Sequence, residues 1–555
     1  MKKTSLKMAT LFLALVMLLT ACGGGNAPAN GGADKPEGEQ TASAEGKILR
    51  TNNTSEPGAL DPDLATGTHD SWVLQHLFEG LMKYDENGEL VNGMAKDYKV
   101  SDDGLNWTFT IRDDVKWSNG DPVTAQDFEF AWKRLLDPEL ASDYAYQLYY
   151  LKNAEAYNAG EGNLTADDVG VKAADDKTLE VTLENPTPYF QGLTAFYSLY
   201  PVHKATVEAN PDWAKDPSTG HYVSNGPFIL KEWAHNDYIK LEKNPNYYDA
   251  DKVKLAGIEF DILEDENTSY QKYEGGEYDL IVSPPSTVIQ KMKSENNPEL
   301  HLDPQIGTYY FAFNTQKKPF DNAKVRHAFS MALDRQTIID NVVLGGQLPG
   351  TGMVPPGLHD DQGKDFREAN GAYAQEDATK AKALLEEGLK EAGASLADLN
   401  GTVLIYNTSE GHKKIAQAVQ DMWKKNLGVD ITLENMEFQV LIDRRRAGDF
   451  SISRAGWIGD YADPMTMLDL FTTGNPQNDA KWSNPEFDKN IKIAKTSNDA
   501  KVRMDAMKAA EKVMMDDMPI IPLYFYNQSY LVKPNVKGVY KPLLDYPELT
   551  FAEIE

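Results

Sequence analysis

The sequence predicts an α/β protein built as at least two lobes, and three observations carry that expectation. The chain has 555 residues and a mass of 61.8 kDa, whereas single hydrophobic cores stop growing near ~250–300 residues. Apolar patterns of period two and of period 3.6 are mixed along the chain rather than segregated into separate halves. One stretch carries a whole βαβ crossover: Val403-Leu404-Ile405-Tyr406 as a strand, Lys413 to Leu427 as a helix, then Val429, Ile431 and Leu433 alternating in a second strand. The helix has Ile415, Val419, Met422 and Trp423 as its apolar positions and Gly428 to end it. Such a connection joins parallel strands, which places an α/β lobe here.

Other elements follow in order. The folded part starts near Lys47-Ile48-Leu49-Arg50. Leu105 to Ile111 and Leu179 to Leu183 alternate apolar and polar residues and read as half-buried strands. Thr124 is an N-cap and Asp127 its capping-box partner for a helix carrying Phe128, Trp132 and Leu135, closed by Pro138.

Composition is that of an ordinary globular chain, 41% hydrophobic and 25% charged. Charge is lopsided: 85 acids against 55 lysines and arginines give −30. Affinity for nucleic acid rests on counterions displaced by Lys and Arg, so so acidic a protein is not expected to bind it. A single cysteine excludes an internal disulfide and any multi-cysteine metal site.

That cysteine, Cys22, closes a leader. Lys2, Lys3 and Lys7 precede an apolar run from Met8 to Thr20, too short for a membrane span and suited to a signal peptide. Leu19-Thr20-Ala21-Cys22 resembles a bacterial lipoprotein cleavage box. Cleavage after residue 21 would leave a lipid-modified Cys22, and more than one acyl chain makes membrane anchoring stable. A plain secretory signal with an incidental cysteine is the alternative. Residues 22–46 are nearly free of apolar side chains after the cysteine and form a flexible tether.

Catalytic signatures are scarce. None of the nine histidines forms a H-E-x-x-H motif, and there is no G-x-S-x-G elbow, P-loop or dinucleotide fingerprint. The arginines do stand out, because four of only eleven are Arg444, Arg445, Arg446 and Arg454, just before Trp457-Ile458-Gly459-Asp460-Tyr461. Such a tract can be a solvated helix face paired with surface acids. It can also present planar guanidiniums to a carboxylate, with a nearby carboxylate completing a site for a zwitterion.

Several segments in order then carry a resemblance. Leu77-Phe78-Glu79-Gly80-Leu81 is followed by Lys116-Trp117-Ser118-Asn119-Gly120-Asp121-Pro122 and by Ser224-Asn225-Gly226-Pro227. Downstream come Asn407-Thr408-Ser409-Glu410-Gly411-His412, Arg454-Ala455-Gly456-Trp457 and Pro519-Ile520-Ile521-Pro522-Leu523-Tyr524. From about residue 48 to the C-terminus the chain resembles the extracellular oligopeptide-binding lipoproteins of ABC peptide importers, solute-binding protein family 5 of the peptide, nickel and opine type.

The resemblance implies a two-lobe, periplasmic-binding-protein-like clamp of type II (cluster C) with an inserted third domain. Domain I would comprise 47–78, 201–305 and 525–555, domain II the insertion 79–200, and domain III 306–524. An oligopeptide would lie extended between domains I and III, its backbone pairing as an added strand. By position, Asp460 would take the peptide's α-ammonium, flanked by Gly456 and Ile458, with Trp457 as a wall. Arg445, Arg454 and His412 match positions that meet the peptide's carboxylate, and Arg446, where enteric members carry His, adds a possible anchor. Arg444 is expected to face solvent. Thr66-Gly67-Thr68 matches a backbone strand that pairs with the ligand, and either Tyr144 or Tyr146 would lie near the peptide's N-terminus. Ser330 stands where enteric members place a carboxylate-binding lysine.

The expectation is therefore a monomeric binding protein without cofactor or catalytic activity, anchored by lipid to the outside of a bacterial cell membrane. It would hand peptides to the transmembrane permease of an ABC importer. A dedicated receptor for one signalling or cell-wall peptide, or an exported peptide hydrolase, are the other readings.

Overall fold

The computed structural model describes residues 46–215 and 221–555. The leader, Cys22 and the tether as far as residue 45 lie outside the described residues.

Three sheets organise the chain. In the first, Ile48–Asn53 runs parallel to Gly257–Ile262, which pairs antiparallel with Tyr238–Lys243, and that strand with Phe228–Ala234. Helix Thr68–Leu77 packs on this sheet through Trp72, whose ring meets Phe260 at 5.0 Å and stacks on Tyr546 at 5.1 Å. The second sheet is antiparallel in the order Ala95–Val100, Asn106–Ile111, Thr178–Thr182, Val171–Asp175. Both strands expected here are present and adjacent, Asn106 opposite Thr182, with Trp107, Phe109 and Ile111 inward. Helix Ala125–Leu135 packs on Val171–Asp175 and Thr178–Thr182. Its capping box forms as expected, Asp127 accepting from the Thr124 backbone N–H at 2.9 Å.

The third sheet contains the βαβ unit. Val403–Asn407 lies parallel to Thr432–Met436, with helix Glu410–Leu427 between them in sequence. The helix starts three residues earlier than the apolar pattern suggests, because Ser409 caps it, its hydroxyl accepting from the His412 N–H at 3.3 Å. Gly428 ends it at φ 75°, a left-handed turn that suits glycine. The second strand begins at Thr432 rather than Val429. Val429 and Ile431 are buried in the loop before it, so their apolar character reported burial and not strand pairing.

Two long strands tie the architecture together. Leu300–Phe313 and Ile520–Val532 pair antiparallel twice, Leu300 to Pro304 against Leu531 to Asn527, and Thr308 to Ala312 against Phe525 to Ile520. Between Pro304 and Thr308 the register breaks, and such irregularities bend and twist a ribbon locally. On one side of the break, Ile520–Val532 pairs with Leu280–Val282. That short strand is stitched to the first sheet by Asn52, whose Oδ1 accepts from the Val282 N–H at 3.0 Å. On the other side, Leu300–Phe313 carries Ile452–Ile458, and through it the βαβ unit. The βαβ lobe has its own apolar core, with Tyr309, Phe311, Phe313, Phe329, Leu404 and Trp423 at its centre.

Trp423 is fully buried, donates Nε1–H to the Phe329 carbonyl at 2.8 Å and packs 4.8 Å from the Phe329 ring. Trp423→Ala leaves a cavity and an unpaired carbonyl, so it should cost about 3–5 kcal/mol. Urea unfolding should show the midpoint of the βαβ lobe lowered accordingly.

Candidate functional site

A cavity of about 620 Å³ is walled by segments flanking the first and third sheets, a size within the ordinary range of ligand sites. Its walls are drawn from Thr66 to His69, from Tyr144 and the Phe196-Tyr197 pair, from His412 and the run Arg454 to Asp460, and from the C-terminal segment around Tyr540 to Phe551.

The strand Ile452–Ile458 is its floor. All seven residues pair on one side with Gly307 to Phe313, but on the other side only Ile452 and Ser453 meet a strand, at Leu404 and Ile405. From Arg454 to Ile458 the second edge has no strand partner among the described residues, while Gly456, Trp457 and Ile458 line the cavity. An unpaired edge is a template for another extended chain.

Unmatched charges flank that edge. Asp460, two residues past the strand, is 7% exposed. Its Oδ2 accepts from Gln147 Nε2 at 2.6 Å, and its backbone N–H donates to Thr466 Oγ1 at 2.8 Å. No cation pairs with it among the described residues. Burial raises its pKa well above the carboxylate range, the Gln147 bond opposes the rise, and the charge of Asp545 adds to it. Arg454 is the counterpart. Nη1 donates to Asn407 Oδ1 at 3.3 Å, Nη2 to Tyr526 Oη at 3.1 Å, and the guanidinium lies 4.8 Å over the Tyr309 ring. Nε is buried and unbonded, and no carboxylate faces the group among the described residues. A strand advances ~3.3 Å per residue, so the two α-carbons are at most ~20 Å apart.

Around these two, sequence expectation and structure agree unevenly. His412 borders the cavity with Nδ1 3.4 Å from Tyr309 Oη. Burial, then the nearby Arg454 charge, push its pKa well below the ordinary histidine value, so it is a neutral imidazole. Arg445 and Arg446 also border the cavity, but their charges are already matched. Arg445 is buried against Asp479, and Arg446 pairs with Asp143 at 2.8 Å. Arg444 lies on the outer side, bridged to Glu434 and Asp449.

The segment Thr66-Gly67-Thr68 is no strand. Thr68 opens helix Thr68–Leu77, Gly67 is its N-cap, and the N–H groups of Thr66 and Gly67 both donate to Asp70 Oδ2 at 2.9 Å. The Gly67 carbonyl accepts from the Asp70 and Ser71 N–H groups and the Thr68 carbonyl from the Ser71 hydroxyl, so most of the segment's backbone groups are already engaged. Of the two tyrosines, Tyr144 borders the cavity, 6.3 Å from the Trp457 ring. Tyr146 is stacked behind Tyr144 at 5.8 Å and does not line the cavity. Ser330 lies away from the cavity, fully buried with its hydroxyl accepting from Arg335 Nη2 at 2.9 Å. Gly456 has a steric role: a Cβ there would come within 2.2 Å of Tyr526 Oη, the hydroxyl that holds Arg454.

Several residues of the site carry no sequence signal. Gln147, Tyr309, Tyr526 and His69 look like ordinary polar or aromatic residues until the fold brings them to Asp460 and Arg454.

Two lobes joined by crossing strands, closing on a strand edge with opposite charges at its ends, make a clamp for an elongated, doubly charged solute. Comparison with known proteins agrees. The model of the bacterial extracellular solute-binding proteins, family 5 (middle region) matches residues 89–479, and the chain belongs to this family. It is 45% identical over 540 residues to the oligopeptide-binding protein OppA of Bacillus subtilis (strain 168), covering 96% of each chain. The fold superposes on Haemophilus influenzae OppA in complex with RPPGFSPFR at TM-score 0.85 and 36% identity, over 92% of this chain and 99% of that one. With the Escherichia coli murein tripeptide-binding protein MppA the TM-score is 0.83 at 38% identity, over 93% and 99% of the two chains. Against an unliganded open form of MppA it drops to 0.62 at 37% identity, over 92% and 98%, so the lobes here are not set as in that open form. No helix among the described residues is long and apolar enough to cross a membrane.

The electrostatics of Asp460 are directly measurable. In the ligand-free protein its carboxyl should titrate well above the ordinary range when followed by carbon-detected NMR. Gln147→Leu removes the bond that favours the anion and should raise the midpoint further. Asp545→Asn removes a neighbouring anion and should lower it.

Proposed function

We propose that this protein is the extracytoplasmic substrate-binding component of an ABC importer for oligopeptides. It binds its peptide extended between the lobes and presents it to a transmembrane permease. The observation that carries this reading is the open edge from Arg454 to Ile458 between an unmatched anion and an unmatched cation. A peptide has what such a site lacks: an ammonium for Asp460, a carboxylate for Arg454 with His412 as a hydrogen-bonding neighbour, and a backbone to pair with the edge. Backbone pairing is indifferent to side chains, which suits a general receptor. The names of the relatives, including a structure with a nonapeptide bound, support the same reading.

In this reading domain I is 47–78, 201–305 and 525–555, domain II is 79–200 and domain III is 306–524. In support, the antiparallel second sheet falls within 79–200, and the register break between Pro304 and Thr308 falls at the junction of domains I and III. The protein acts as a monomer held to the membrane by lipid on Cys22, and it binds without catalysing. Closure is the step that encloses the peptide, in the manner of hinged binding proteins. Contacts that favour the closed form cross the cleft: Glu266 accepts from the Ser409 hydroxyl at 2.7 Å and from the Gly411 N–H at 3.2 Å, at the start of helix Glu410–Leu427. Tyr189 stacks on Tyr461 at 4.8 Å.

Native mass spectrometry of the protein lacking residues 1–21, with Cys22 replaced, should show a ladder of adducts that denature off as varied peptides. A protein that carries none and ignores added peptide libraries would overturn the reading, and a single recurrent mass would replace it with a dedicated receptor. Asp460→Asn should weaken peptides with a free α-amino group by about 100-fold, the scale of breaking a buried charge pair, and leave Nα-acetylated ones little changed in calorimetric titration.

A further inference from the structure

The cationic end of the cavity is built from both sides of the cleft. From the βαβ lobe come Arg454, with its buried and unbonded Nε, and His412. From the opposite side the first turn of helix Thr68–Leu77 brings His69, which also lines the cavity. The His69 ring packs edge-on against Phe438 of the βαβ lobe at 4.9 Å, and Nε2 lies 3.0 Å from Thr54 Oγ1. Its other nitrogen, Nδ1, is buried with no hydrogen-bond partner among the described residues. Buried polar atoms are normally satisfied, so an orphan beside a cavity marks a place where a ligand group completes the network.

The charge state fits a donor. Burial, and after it the charge of Arg454, depress the His69 pKa to about 4, and His69 in turn contributes to the depression of His412. Both imidazoles and the guanidinium line the same cavity, and both rings are neutral there. A neutral imidazole has one N–H and one lone pair. If the Thr54 hydroxyl donates to Nε2, the ring proton sits on Nδ1, the nitrogen without a partner.

We propose that His69 Nδ1–H donates to the peptide carboxylate that Arg454 holds, so that this carboxylate bridges the two lobes. The proposal rests on the peptide reading above and deepens it. Arg454, His412 and Asp460 all belong to one side of the cleft, and a peptide held by them alone would sit in an open clamp as well as in a closed one. A donor from the opposite side makes the carboxylate favour closure, because its full set of bonds exists only when the lobes meet. His69 is then a specificity residue for a free C-terminus, at the peptide length whose carboxylate reaches Arg454.

The test is calorimetric titration of the wild-type protein, His69→Leu and His69→Asn with dipeptides to hexapeptides, each as free acid and as C-terminal amide. The wild type should bind at least one length better as acid than as amide. His69→Leu should lose about tenfold on that acid, the scale of one hydrogen bond to a charged group, with its amide unchanged. His69→Asn, whose amide nitrogen can stand near the place of Nδ1, should keep most of the affinity, and His69→Gln, which shifts the amide towards Nε2, should not. Should His69→Leu fail to fold, the Asn and Gln pair carries the comparison. Equal loss on acid and amide, or no loss on either, would overturn the assignment of His69 alone. Failure of the wild type to bind any peptide would overturn the peptide reading and this assignment with it.

Discussion

Burying a carboxylate without a cation is the constraint on which the site depends. A charge moved from water into an apolar interior loses several kcal/mol of solvation, which only a matched partner and hydrogen bonds recover. Among the described residues the fold gives the Asp460 side chain one amide and no cation, and gives Arg454 two neutral oxygens, an aromatic face and no anion. Both groups are thereby held in place while their charge is left unmatched. In the proposed reading a zwitterionic chain would bring the two missing charges at once, and selectivity for the ends of a solute, rather than its middle, would follow from that arrangement.

In the proposed clamp, opening and closing would turn on the pair of long strands. A sheet is stiff across its hydrogen bonds, so two lobes built on one continuous sheet would not move independently. The break between Pro304 and Thr308 interrupts the ladder where Leu300–Phe313 and Ile520–Val532 pass between lobes. Bending there costs no further strand pairing, because the pairing is already lost. The opposing parts of the site lie on either side of this break: Ile452–Ile458 is attached beyond it, and helix Thr68–Leu77 stands on the first sheet.

Local order was legible in the sequence and long-range partnership was not. The βαβ unit, the Thr124 box and the strands about Asn106 and Thr178 are set by periodicity and caps within a dozen residues, and these were read with small shifts at their ends. Arg445 and Arg446 looked like ligand anchors because sequence shows charge without its partner. Asp479 and Asp143 supply partners from 34 and 303 residues away, a separation no local pattern reveals. Thr66-Gly67-Thr68 was expected as a pairing strand from its match to the family, and nothing in these small residues states that Asp70 takes the N–H groups of Thr66 and Gly67. Asp460 was legible through its family motif, whereas Gln147 and His69 became visible only as neighbours of groups the motif had fixed.

Those neighbours also give a role to 79–200, the segment proposed as an inserted domain, which looks dispensable beside a two-lobe clamp. Its Gln147 is the donor to Asp460, its Asp143 neutralises Arg446, and its Tyr189 stacks on Tyr461, the residue after Asp460. Tyr150 adds a bond from its hydroxyl to Asp469 at 3.3 Å. Each contact meets the βαβ lobe, and three of the four cluster at the anionic end of the site. Without them Asp460 would lose its one hydrogen-bond donor to the side chain and gain access to bulk water, which would lower the worth of its charge to an incoming ammonium. In the proposed reading this segment would act as the wall that keeps the ammonium end dry, while the first lobe would close on the carboxylate end.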